Sequence, residues 1–188
     1  MFRTISFAAA ALVASASMAT AADLYIPETP IAYDEATGFD WEGAYAGARV
    51  RGLFGDEDFY DGTLFGLGVA LGYNFLPADA FVLGLELRGD YVFGNDDDDV
   101  APIGEISLMG RAGVLATDDV LVYALGTIGQ AYSDDFDPEV TYSFGAGIEL
   151  AVSDDMTVRG EVAALNSYDD DESTAMGTTA SLGAFWHF

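Results

Sequence analysis

The chain has 188 residues, no cysteine and no lysine, and it carries 32 Asp and Glu residues against six arginines. The absence of cysteine excludes a disulfide framework, a thiol nucleophile and a thiolate metal site. The net charge of −26 argues against nucleic acid as a partner, because the phosphates would be repelled, and favours cations or cationic ligands.

Residues 1–22 have the pattern of a secretory signal peptide. Arg3 supplies the positive start, residues 7–13 form a short apolar run, and Ala19-Thr20-Ala21 is a small-residue cleavage site. Since all acidic residues follow this segment, the exported chain has a charge of 5 − 32 = −27. Residues 23–40 contain two prolines and no periodicity, so we expect an extended periplasmic segment there.

From residue 41 onward the sequence alternates between apolar and small or polar residues, which predicts β-strands that meet two different environments. Each run is long enough for a tilted strand to cross a bilayer. The alternation predicts eight strands, at 41–54, 63–76, 80–94, 103–116, 120–132, 139–152, 156–167 and 175–188.

The connections between these strands alternate in length. Those near residues 77–79, 118–119 and 154–155 are tight, whereas those near 55–62, 95–102, 133–138 and 168–174 are longer and acidic. This alternation is typical of an up-and-down membrane barrel. We therefore predict an all-β fold, an eight-stranded antiparallel transmembrane β-barrel over residues 41–188. Both termini are expected on the periplasmic side, and residues 41–52 are expected to pair with 177–188.

The apolar face of each strand is predicted to meet lipid. In the second strand Phe65, Leu67 and Leu71 lie on one face and Gly66 and Gly68 on the other. The interior of an eight-stranded barrel is only just wide enough for side chains to fill it. Eight aromatic and aliphatic faces would overfill it, whereas the small-residue faces have a suitable volume. The fifth strand is ambiguous, since residues 121–125 do not determine its register.

Charged residues share the small-residue face and are predicted to lie in the lumen. Buried charges are costly unless they are paired, and arginine suits bidentate pairing with carboxylates. We expect an ion-pair network that fills the lumen and consists of Arg49, Arg51, Glu86, Arg88, Asp90, Glu105, Arg111, Glu149, Arg159 and Glu161.

The first strand has the form W-x-G-x-Y-x-G over residues 41–47, and the last strand alternates up to a terminal Phe188. Residues 68–75 and 83–86 extend the likeness, and together these motifs resemble the small OmpA-like outer-membrane barrels of proteobacteria, the porin family or surface antigen type. The resemblance implies a role in envelope integrity and recognition of the C-terminal strand by the barrel-assembly machinery. The closure and assembly residues that it implies are Trp41, Tyr45, Trp186 and Phe188.

Acidic loops are the best candidate for a binding feature, because Ca²⁺ and Mg²⁺ take several carboxylate oxygens. Such ions could also bridge the loops to lipopolysaccharide phosphates. No other cofactor is predicted. A solvated acidic surface is the alternative interpretation, since no run has EF-hand spacing. The candidate ligands are Asp56, Asp58, Asp96, Asp97, Asp98, Asp99, Asp134, Asp135, Asp169, Asp170 and Asp171.

The primary prediction for function is a structural outer-membrane barrel that is not an enzyme. The sole histidine, His187, is next to the C-terminus and is predicted to be an interfacial polar residue, so a histidine-dependent hydrolase is disfavoured. Two alternatives remain open, a small pore for passive diffusion and a secreted soluble barrel that binds a ligand.

Overall fold

The computed structural model describes residues 38–55, 63–93, 101–134, 137–169 and 172–188. None of these ranges contains a helix with the length and apolar character needed to cross a membrane. The described residues form eight strands: β1 (Gly43–Gly55), β2 (Thr63–Ala78), β3 (Phe81–Val92), β4 (Ile103–Thr117), β5 (Val120–Tyr132), β6 (Glu139–Ala151), β7 (Met156–Asp169) and β8 (Glu172–His187).

Each strand pairs in antiparallel fashion with the next, and β1 pairs with β8, so the sheet closes into a barrel. The predicted fold is thereby confirmed. The closing pairs run from Tyr45 opposite His187 to Gly55 opposite Gly177. The predicted pairing of residues 41–52 was wrong at its start, because Trp41 leaves the sheet and lies across one end of the barrel.

The strand bounds agree with the predicted ones to within three residues, and the largest difference is in β8. This strand begins at Glu172 rather than at residue 175. The pairing of β7 with β8 passes from Leu165–Gly177 to Asn166–Ala175, so Met176 is an extra residue in β8. Such a β-bulge shifts the inward and outward alternation by one residue, which counting in twos does not reveal.

The outer wall of the barrel is apolar. Phe65 and Phe144 are each 65% exposed and Leu71 is 62% exposed, whereas inward neighbours such as Ala70 are buried. An apolar outside and a polar inside are the pattern of a barrel that spans a membrane, and the alternative of a soluble barrel is therefore wrong. In β5, Leu121, Tyr123 and Leu125 face inward, which settles the register that the sequence left open.

The two ends of the barrel differ. The short turns at residues 79–80, 118–119 and 153–155 lie at one end together with residues 38–42 and the C-terminal Phe188. Two backbone hydrogen bonds tie the C-terminus there: His187 N–H donates to Asp155 O, and Phe188 N–H donates to Ala44 O at 3.0 Å. We call this end the turn end and the opposite end the loop end.

Residues Gly38 to Trp41 cross the turn end of the barrel. The Trp41 indole is 1% exposed, and its Nε1 donates a hydrogen bond of 2.8 Å to the carbonyl oxygen of Asp118, in the turn between β4 and β5. The Phe39 ring packs edge-on against the rings of Trp41 and His187, with a distance of 4.8 Å between ring centroids in both pairs. The described part of the segment 23–40 thus packs against the barrel.

The two tryptophans of the chain provide a test of this arrangement, because Trp41 is buried and Trp186 faces outward with 46% exposure. In vesicles with brominated acyl chains, we expect the Trp41→Phe variant to lose most of its emission through quenching of Trp186. The Trp186→Phe variant should keep the emission of Trp41 and resist acrylamide as well. Equal quenching of the two variants would contradict the placement of Trp41 in the turn end.

Candidate functional site

The lumen of the barrel holds all ten charged residues predicted for it. They come from five strands, namely β1, β3, β4, β6 and β7, and none is more than 9% exposed. They face inward because each lies at an inward position of the alternation that runs along its strand. Five guanidinium groups and five carboxylates give this set a formal charge of 5 − 5 = 0.

Toward the loop end, two arginines of β1 bind two carboxylates. Arg49 forms a bidentate pair with Asp90, with Nε to Oδ1 at 3.0 Å and Nη2 to Oδ2 at 2.5 Å. Arg51 pairs with Glu105, which also accepts a hydrogen bond of 2.9 Å from the hydroxyl of Thr141. Arg51 lies 4.0 Å from Asp90, so the four charges form one group.

Toward the turn end, Arg159 binds two carboxylates. Its Nη1 donates to Glu86 at 2.5 Å, and its Nε donates to Glu149 at 3.1 Å. Arg111 donates from Nη1 to the same Glu149 at 2.5 Å and from Nη2 to Asn74 Oδ1 at 2.9 Å. The side-chain amide of Asn74 in turn donates to the carbonyl oxygen of Trp41 at 3.0 Å.

Arg88 joins the two groups. It donates from Nε to Glu86 at 2.5 Å and from Nη2 to Glu161 at 2.8 Å, and Glu161 lies 3.6 Å from Arg49. Positive and negative groups therefore alternate without interruption along the lumen. The order from the turn end is Arg111, Glu149, Arg159, Glu86, Arg88, Glu161, Arg49, Asp90, Arg51 and Glu105. We call this set the lumenal ion chain.

The strands without these charges provide room and supporting contacts. A Cβ on Gly68 would collide with Oδ1 of Asp90, so a side chain at this position of β2 would displace the carboxylate that binds Arg49. From β8, the Phe185 ring lies 3.7 Å from the guanidinium carbon of Arg159, which is a cation–π contact. From β5, the hydroxyl of Tyr123 donates to Glu161 at 2.7 Å.

Two apolar layers enclose the lumenal ion chain. The turn-end layer contains Trp41, Val82 and Leu121 with Phe39 packed against them. The loop-end layer consists of Leu53, Leu64, Val92, Leu165 and Met176, with Ile103 packed against them. Between the layers, the described side chains leave a cavity of about 20 Å³, bordered by Arg49, Arg88 and Ser107, which is room for about one water molecule.

The sequence profile described as "Outer membrane protein beta-barrel domain" matches residues 7–188. The chain belongs to this family. Among curated proteins, none matches the chain.

One solved structure supports the fold, and a second is less similar. Neisserial surface protein A (NspA) is 12% identical to the chain and superposes on it with a TM-score of 0.55. The aligned part includes 78% of this chain and 97% of NspA. Ail, the attachment invasion locus protein of Yersinia pestis, is 15% identical with coverages of 78% and 97% and a TM-score of 0.48. At such identities the likeness concerns the fold alone.

The closure and assembly residues predicted for this outer-membrane barrel lie in three environments. The Tyr45 ring faces the lumen. Its centroid lies 5.0 Å from the guanidinium carbon of Arg111 and 5.2 Å from that of Arg159. Trp186 and Phe188 point away from the lumen and are 46% and 79% exposed. Trp41 is not part of β1, because its carbonyl and indole groups bond to Asn74 and Asp118 at the turn end.

The prediction for His187 was wrong. The residue is only 8% exposed, since its inward position in β8 places the ring in the lumen rather than at the interface. The ring stacks on Tyr45 at 5.3 Å, and its Nε2 lies 3.5 Å from Glu149.

Most of the acidic residues proposed as metal ligands lie outside the described residues, namely Asp56, Asp58, Asp96, Asp97, Asp98, Asp99, Asp135, Asp170 and Asp171. Asp134 follows β5 and is exposed, and Asp169 ends β7. Within the described ranges, no group of three or more histidine or acidic side chains is arranged to hold a metal ion.

Polar partners of the lumenal ion chain were not identified from the sequence. Asn74, Tyr123 and Thr141 each bind one of its members, and Thr157 donates a hydrogen bond of 2.5 Å to Glu149. Their inward positions in β2, β5, β6 and β7 were a usable signal for three of them. The inward position of Tyr123 could not be predicted, because the residues around it in β5 are uniformly apolar.

The pair at the loop end of the lumenal ion chain, Arg51 and Glu105, allows a test of how much pairing of buried charges contributes to stability. Arg51→Leu leaves Glu105 buried without its cation, so we expect a loss of about 3–5 kcal/mol in the free energy of unfolding. The double variant Arg51→Leu/Glu105→Leu removes both charges and should be more stable than the single variant. Denaturant unfolding in liposomes measures both.

Val50→Leu provides the matched control, because Val50 precedes Arg51 but faces outward with 52% exposure. Its unfolding free energy should stay close to that of the parent. A double variant whose loss equals the sum of the losses measured for Arg51→Leu and for Glu105→Leu would show that the pair is not coupled.

Proposed function

We propose that this protein is a structural, non-enzymatic outer-membrane barrel that contributes to envelope integrity without conducting solutes. The observation that carries the proposal is the lumenal ion chain, in which ten buried charges alternate in sign from one end of the lumen to the other. A passage for solutes needs open volume along the axis. Here paired side chains of the described residues occupy the axis, and the cavity among Arg49, Arg88 and Glu161 has a volume of about 20 Å³.

The orientation that fits this role has the turn end in the periplasm. Short periplasmic turns and longer outer loops are the rule in such barrels. The signal peptide predicted at residues 1–22 delivers the chain from that side. In this orientation β8, with Trp186 and Phe188 on its outer face, is the strand offered to the assembly machinery.

The charge distribution supports a bridging role for divalent cations. The sequence has no lysine, and all five arginines of the described residues are buried in the lumen. The loops contain acidic runs, such as residues 96–99, without a basic residue beside them. Lipopolysaccharide phosphates would be repelled by such loops unless Ca²⁺ or Mg²⁺ ions bind both. Lipid and lipopolysaccharide are the partners in this proposal.

Conductance distinguishes this function from that of a small pore. In planar bilayers we expect no steady current from the native protein. Arg88→Ala and Glu86→Ala should each produce openings, because each removes a large side chain and one charge from the middle of the lumenal ion chain and leaves a polar gap and a net charge that favour water. Leu71→Ala, on the outer wall, is the control and should stay silent. Steady openings of the native protein would favour the pore.

Envelope integrity is tested by deleting the gene in its own bacterium. We expect greater uptake of a hydrophobic dye, restored to normal by the native protein. A variant with Asn at positions 96–99 should restore the barrier only in part, because it lacks carboxylates that bind bridging cations.

Calorimetry of the folded protein in detergent is the control for that variant. Ca²⁺ should produce binding heats with the native protein and smaller heats with the variant. Equal heats would remove the cation bridge from the proposal while leaving the barrier role in place.

A further inference from the structure

The loop-end apolar layer is built around a β-bulge. Met176 has no partner on β7, because the pairing passes from Gly177 directly to Ala175. Bulges of this kind turn a side chain to the other face of the sheet. Here the bulge turns Met176 inward, so that it is 6% exposed and packs with the aliphatic side chains of β1, β2, β3 and β7.

Gly177 makes this bulge possible. Its φ of +144° belongs to a region that side-chain-bearing residues rarely adopt. A Cβ at this position would also collide with the carbonyl oxygen of Phe54 in β1 and would lie 3.0 Å from the Cα of Gly55. The backbone conformation that places Met176 over the lumen therefore depends on glycine.

Charged groups lie directly on the turn side of this layer. On three strands, the next lumen-facing residue toward the turn end is charged. It is Arg51 next to Leu53 on β1, Asp90 next to Val92 on β3, and Glu105 next to Ile103 on β4. All three charges belong to the lumenal ion chain. The small cavity below them borders Ser107, Thr127 and Ser143, and it also borders Leu165 of the layer itself. Among the described residues, the aliphatic side chains of this layer, which come from β1, β2, β3, β4, β7 and β8, lie between the polar space and the loop end.

We propose that Met176 is the gate residue of the lumen and that the loop-end apolar layer controls whether water and small ions reach the lumenal ion chain. Narrow apolar constrictions exclude water by dewetting, so a polar side chain in this layer should favour the entry of water. Methionine suits this position because its unbranched thioether adapts to irregular gaps. The inference rests on the proposed function in that the lumen behind the layer is filled by paired charges.

The test uses a single thiol below the layer, which is possible because the chain has no cysteine of its own. Ser107→Cys places the thiol two inward positions from Ile103, at a residue that is 5% exposed. Ag⁺ is the probe, since it is small and replaces the thiol proton. The unreacted fraction is measured with a maleimide after unfolding, and gel mobility without heating verifies that each variant is folded.

In the Ser107→Cys protein we expect slow reaction with Ag⁺. Adding Met176→Gln, which keeps the length of the side chain but makes it polar, should accelerate the reaction by about tenfold or more. Adding Ala175→Gln is the matched control, because Ala175 is the neighbouring residue on the outer face. It should leave the rate unchanged. Met176→Ala provides a second opening variant if Met176→Gln does not fold.

Two results would overturn the proposal. A thiol that reacts as fast in the folded parent as in the unfolded chain would show that the layer does not exclude water. Equal rates with and without the Met176 substitution would show that this residue does not control access. Steady conductance of the native protein would instead overturn the proposed function, so the two failures are distinguishable.

Discussion

The compensation of buried charge is the constraint on which this structure depends. An eight-stranded barrel has a lumen only as wide as its side chains, so a charge placed there loses most of its hydration. Five arginines and five carboxylates meet this requirement by alternating along the axis. Gly68 on β2 leaves space for Asp90 and Arg49. The aromatic rings of Tyr123 on β5 and Phe185 on β8 pack against Arg111 and Arg159.

Much of this arrangement could be predicted because β-structure has a strict period of two. In strands with a clear alternation, the lipid-facing and lumenal faces follow from the sequence of the strand alone, and with them the inward position of charges such as Arg88 and Glu86. Equal numbers of positive and negative groups also made an ion-pair network a reasonable expectation. Which arginine binds which carboxylate was not predictable, because it depends on the stagger of strands that are distant in sequence.

The features that the sequence analysis did not identify lie where the apolar alternation is interrupted, uninformative or absent. The bulge at Met176 shifts the alternation of β8, and the uniformly apolar run from Leu121 to Leu125 has no polar residue to reveal its inner face. The placement of Trp41 and His187 at the turn end requires contacts with Asp118 and Phe39, which no local pattern contains. The acidic loops have no regular period, so composition alone describes them.

The hydrogen bond between Trp41 and Asp118 has a mechanical consequence. The turn that contains Asp118 joins β4 to β5, which lie halfway around the closed sheet from β1. The indole therefore links the residues just before β1 to the opposite wall of the barrel. A contact between opposite walls opposes flattening of the turn end into an ellipse, which bonds between neighbouring strands alone do not oppose directly.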